Sequence, residues 1–79
     1  MKRFITSGEQ LALYVDYQMK LMGKRNCISK LAKHWDKTES SVYRKLTKSE
    51  IMNMPLKELY TLANVLEISP GELIEQGKA

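Results

Sequence analysis

The 79-residue chain has one cysteine, one histidine, two prolines and four glycines. Each scarcity excludes something. Cys27 has no second thiol to pair with, and no Cys or His stands at ligand spacing, so neither a disulfide nor a zinc site is available to one chain. No apolar run reaches the length of a bilayer span, and the opening MKRFITSG lacks the apolar stretch of a secretory signal. A cytoplasmic location, nucleoid-associated and without a membrane partner, is therefore expected. Strand-like alternation, repeats and low-complexity linkers are also missing. Ser40, Ser41 and Tyr43 have no positioned base, and His34 stands alone between Lys33 and Trp35, so no catalytic residue emerges. The late glutamates form a solvated face with no metal spacing. Neither a cofactor, a metal nor a small-molecule substrate is expected, and the chain does not read as an enzyme.

What is present reads as helix. With 43% apolar and 28% charged residues, the composition is globular rather than disordered. The length suits a single domain over residues 1–79, stabilised by helix packing or by dimerisation. A first helix starts near Ser7, where either Ser7 with Gln10 or Thr6 with Glu9 offers a capping box. It carries Leu11, Val15, Met19 and Met22 at helical spacing and stops at Gly23. A second begins near Asn26 or Cys27, turns Ile28, Leu31, Ala32 and Trp35 inward, and ends near Asp36. Thr38 caps a third, with Val42 and Leu46 inside. Residues 47–54 read as a connection, with Ile51, Met52 and Met54 as exposed apolar residues. Pro55 fits the first turn of a fourth helix burying Leu56, Leu59, Leu62, Ala63 and Leu66. The last opens on Ser69-Pro70-Gly71-Glu72, in which Ser69 caps and Pro70 takes the first helical position, with Leu73 and Ile74 following. The expected architecture is all-α, with five helices.

The net charge of +4 is unevenly spread. Residues 24–48 carry Lys24, Arg25, Lys30, Lys33, Lys37, Arg44, Lys45 and Lys48 against Asp36 and Glu39, a net +6. Residues 49–79 carry Lys57 and Lys78 against Glu50, Glu58, Glu67, Glu72 and Glu75, a net −3. An anionic partner docking on one face follows from that asymmetry.

Within the basic stretch, residues 28–46 read ISKLAKHWDKTESSVYRKL. Two short helices crossing steeply need a small residue at the contact, here Ala32, and apolar anchors, here Leu31, Trp35, Val42 and Leu46. The turn between them needs a residue tolerant of positive φ, a role open to Asp36. The outward face of the second helix offers Glu39, Ser40, Tyr43 and Arg44 as candidates for reading base edges in a major groove. Lys30, Lys33, Lys37, Thr38, Ser41, Lys45 and Lys48 are the candidates for phosphate contacts. Lys2 and Arg3 are read as a frayed terminus rather than a DNA-gripping arm.

These residues resemble a known family. LAKHWDKTESSVYRKL is similar to the helix-turn-helix of the Cro/CI-type (Xre-like) repressors, and PLKELYTLANVLEISPGELIE is similar to that family's last two helices. The resemblance covers about residues 9–76. It implies a lambda-repressor-like five-helix fold and a sequence-specific regulator of transcription on double-stranded DNA, a repressor of bacterial, phage or plasmid origin. Asp36 stands where the family usually has Gly, Lys37 and Lys45 where it has apolar residues, and Ile28 where it commonly has a phosphate-touching Gln. Those departures keep a rival reading open, an antitoxin-like, antirepressor or adaptor module that binds protein. A weak homodimer is expected, through the last helix or through Ile51, Met52 and Met54, because one recognition helix spans only a few base pairs.

Overall fold

A computed structural model describes residues 5–78, and among these six helices and no strand are found. They are α1 (Gly8–Met22), α2 (Lys24–Trp35), α3 (Glu39–Lys45), α4 (Lys48–Ile51), α5 (Leu56–Val65) and α6 (Pro70–Gln76). The architecture is all-α, as the periodicity predicts. The arm residues Lys2 and Arg3 lie outside the described residues.

Local signals account for most boundaries. Ser7 takes the cap of α1, its hydroxyl accepting from the Gln10 amide at 3.3 Å. Leu11, Val15 and Met19 then share the buried face. Gly23, at φ 95°, ends α1 and opens α2 in one residue. No linker intervenes, so α2 begins at Lys24 rather than at Asn26 or Cys27. Pro55 caps α5 from outside at ψ 151° instead of occupying its first turn, and its carbonyl accepts from Glu58 and Leu59. Its missing N–H is harmless at either position.

The connection expected over residues 47–54 contains a sixth element, the one-turn helix α4. The reason is burial. Ile51 is fully enclosed and Met54 nearly so, while Met52 is half-buried. The expectation that this trio forms an exposed dimer surface is therefore corrected, since its apolar area is spent inside the molecule. The start of α1 lies directly on α4, where a Cβ on Gly8 would overlap the Lys48 carbonyl oxygen.

One core joins all six helices. It is built from Leu11, Val15, Ile28, Leu31, Val42, Ile51, Leu59, Leu62, Leu66 and Leu73, each at most 2% exposed, with smaller and peripheral contributors around them. Ala32, Trp35 and Leu46, expected at its centre, pack against its edge and are half-buried. The two ends of the described chain are tied together. The Thr6 and Ser7 amides both donate to the Gly77 carbonyl, at 2.8 and 2.7 Å, and Ile5 is buried against Gly77. No polar or charged residue is buried among the described residues.

Candidate nucleic-acid interface

The geometry of the site begins with the end of α2. Asp36 adopts the left-handed conformation at φ 53°, ψ 50°, which turns the chain sharply. The Lys37 amide reaches back to the Ala32 carbonyl at 3.0 Å, satisfying a helix-end acceptor. Asp is among the few non-glycine residues that tolerate this backbone. Thr38 then starts α3, its hydroxyl accepting from the Ser41 amide at 3.2 Å and donating to Ser41 Oγ at 3.0 Å.

Val42 fixes the inner face of α3, fully buried in the core. That orientation leaves Glu39, Ser40, Tyr43 and Arg44 exposed on one outward ridge, as expected from their i, i+1, i+4, i+5 spacing. Lys30 and Lys33 are exposed on α2, Lys37 on the turn and Lys48 at the start of α4. None of these lysines makes an ion pair among the described residues. Their charge therefore stays free for an external anion.

Three of the phosphate candidates are already engaged. The Thr38 hydroxyl is spent on the cap, and Ser41 Oγ accepts from it. Lys45 is turned inward, half-buried, and its ammonium bonds both oxygens of Glu58 at 2.8 and 3.1 Å. The same ammonium lies 5.7 Å from the centre of the Trp35 ring. Where the resemblance leads one to expect an apolar residue, the ammonium of Lys45 faces the tryptophan ring and its charge is neutralised by Glu58 of α5. Lys45 thus acts as a clamp between α3 and α5 rather than as part of the free basic face.

Sequence reasoning missed one support of the ridge. Lys24 bonds Asp16 of α1 at 2.7 Å and holds its ammonium 5.8 Å from the centre of the Tyr43 ring. Lys20 bonds the other Asp16 oxygen at 2.9 Å. Hydrogen bonds from Lys24 and then Lys20 hold the Asp16 carboxyl below the usual carboxylate range. No spacing rule links residues 16, 24 and 43, because only the folding of α1 and α3 onto α2 brings them together. Burial raises the pKa of Cys27, so the lone thiol remains a protonated apolar filler.

Among the described residues no helix is long and apolar enough to cross a membrane, and no three His, Cys, Asp or Glu residues gather as a metal site. A family model described as "Cro/C1-type HTH DNA-binding domain" matches residues 19–76, from the last turn of α1 to the end of α6. No curated protein and no solved structure matches the chain.

Proposed function

Because the chain belongs to the Cro/C1-type helix-turn-helix DNA-binding domain family, we propose that it is a sequence-specific transcriptional repressor of bacterial, phage or plasmid origin. One observation carries the reading beyond the family. The ridge of Glu39, Ser40, Tyr43 and Arg44 is exposed, and so are Lys30 and Lys33 on α2, Lys37 on the turn and Lys48 on α4, none of them ion-paired among the described residues. Helix α3 enters the major groove. Arg44 and Ser40 read base edges, and Glu39 accepts from a cytosine amino group. The free lysines fix the protein on the phosphates. Repression follows from covering a promoter, in the cytoplasm at the nucleoid. The chain binds rather than catalyses, as a single domain, and two copies pair weakly on DNA to read two half-sites.

Titration of a fluorescent duplex at two salt concentrations tests this, using random DNA and a site selected from a random pool. Affinity falls as salt rises. Lys33→Ala or Lys37→Ala flattens the slope of log affinity against log salt by up to about one unit each. Lys45→Ala leaves that slope unchanged, since Glu58 already neutralises it. Arg44→Ala costs roughly 1–3 kcal/mol on the selected site and less on random DNA. Equal losses on both would make Arg44 a phosphate clamp and move readout to Glu39, Ser40 or Tyr43. Absence of any salt-sensitive affinity would overturn the proposal in favour of a protein-interaction module. Ile28 favours that rival, being fully buried where the resemblance leads one to expect a phosphate-touching Gln.

A further inference from the structure

Helix α1 carries two apolar faces. One is the buried row Leu11, Val15 and Met19. The other is turned to solvent, where Leu13 is 66% exposed, Tyr17 60% and Leu21 66%. Single exposed leucines are ordinary, but these three stand at i, i+4 and i+8 and form one continuous stripe. Leu13 and Tyr17 precede the stretch that matches the family, and Leu21 lies within it.

We propose that this stripe is the seam of a homodimer, in which two α1 helices pack antiparallel about a two-fold axis at Tyr17. Three features select a second copy. The order Leu-x3-Tyr-x3-Leu reads the same from either end, so the two-fold sets Leu13 against Leu21 and Tyr17 against itself, as a self-complementary interface requires. The stripe is polarised: Glu9 is exposed in the first turn of α1 and Arg25 just beyond its end, while Lys20 and Lys24 are already paired with Asp16. An antiparallel pair sets the acidic start of one copy beside the basic end of the other, whereas a parallel pair sets like charges together. The area also fits. Two such stripes cover on the order of several hundred Å², below the roughly 1,200–2,000 Å² of a stable interface, which gives a weak, reversible dimer.

The Lys24–Tyr43 contact places α3 near the C-terminal end of α1. An antiparallel seam therefore sets the two recognition helices at its opposite ends rather than side by side. The inference rests on the proposed pairing of two copies and not on DNA binding.

Sedimentation of the full chain without DNA tests it. The weight-average mass rises with concentration in the parent, and Leu13→Gln with Leu21→Gln abolishes the rise while the helical circular dichroism is kept. Tyr17→Cys cross-links to a covalent dimer under mild oxidation. Tyr60→Cys, also exposed but on α5, does not; the buried Cys27 contributes no background. Should the parent still dimerise while the double variant also dimerises and Tyr17→Cys stays uncrosslinked, the seam is wrong and pairing uses another face. A strict monomer at every concentration would overturn both the seam and the pairing.

Discussion

The turn from α2 into α3 and the turn from α5 into α6 are one backbone device built twice. Asp36 sits at φ 53° and Glu67 at φ 58°, the two non-glycine residues with positive φ among those described. In both, the next amide reaches back five residues, Lys37 to Ala32 and Ile68 to Ala63, each at 3.0 Å. A hydroxyl then caps a seven-residue helix, Thr38 for α3 and Ser69 for α6. Each helix is anchored by one fully buried side chain, Val42 or Leu73. Only the charge differs. Around the first turn Lys33 and Lys37 offset Asp36 and Glu39, and Arg44 follows on α3, whereas the second carries Glu67, Glu72 and Glu75. Backbone geometry alone therefore does not choose which turn meets an anion, and the side chains on it do.

Removing the anchors tests the comparison most severely. Leu73→Ala is expected to cost about 2–5 kcal/mol, and Val42→Ala about 1.5–3, since fewer methyl groups are lost. Denaturant midpoints measure both. The two variants part on function. Val42→Ala loosens the ridge and lowers duplex affinity, whereas Leu73→Ala binds normally wherever it is still folded.

The caps come next. Thr38→Ala and Ser69→Ala are each expected to cost about 1 kcal/mol, within a range of roughly 0.5–2. Thr38 has the larger loss, because it also donates to Ser41 Oγ. Thermal unfolding of the pair decides this, and equal costs would mean that the second bond contributes nothing.

Smaller still are gains at the turns themselves. A left-handed residue other than glycine is strained, so Asp36→Gly and Glu67→Gly are each expected to stabilise by a few tenths to about 1 kcal/mol. Asp tolerates this backbone better than Glu, so the Glu67 variant gains more. A loss at either position would show that the native side chain makes a contact outweighing its strain.

These turns also mark how far the sequence could be read. Thr38 and Ser69 were legible because a cap acts on amides within three residues of itself, Ser7 only as one of two choices with Thr6, and Gly23 because glycine accepts a positive φ. Asp36 was legible because few residue types accept its conformation. The short α4 was not, although Thr47 stands at its N-cap with Glu50 three residues on; no side-chain cap bond forms there, and the burial of Ile51 sustains the turn. The strap from Thr6 and Ser7 to Gly77 joins opposite ends of the chain and leaves no periodic trace. At the site, the ridge on α3 followed from helical spacing once Val42 faced inward. The fates of the lysines did not. Lys37 and Lys45 look alike in sequence, yet one is free and the other is held by Glu58, thirteen residues away. Which lysine keeps its charge for a partner depends on whether α5 brings a carboxylate within reach of it.

The smallest effect separates the two halves by pH, with opposite signs. The Asp16 carboxylate, on the side of the basic turn, has its pKa lowered by bonds from Lys24 and Lys20. Its folded value lies below the unfolded value of about 3.9, so its contribution is complete above that value and is lost as pH falls through the lowered one. Both lysines and Asp16 are partly exposed, which limits the contribution to a few tenths to about 1 kcal/mol. On the other side, burial and then the Glu72 carboxylate raise the pKa of the Tyr14 phenol. That contribution is complete below the unfolded value of about 10 and is lost as pH rises through the raised one. Unfolding free energies measured across pH should lose part of their acid dependence in Asp16→Asn and part of their alkaline dependence in Tyr14→Phe. Duplex affinity sharpens the contrast. Asp16→Asn frees Lys24 from its anchor and loosens Tyr43, so discrimination between the selected site and random DNA falls, while Tyr14→Phe leaves it alone. Equal discrimination in both variants would mean that the Lys24–Tyr43 contact lends the recognition helix no support.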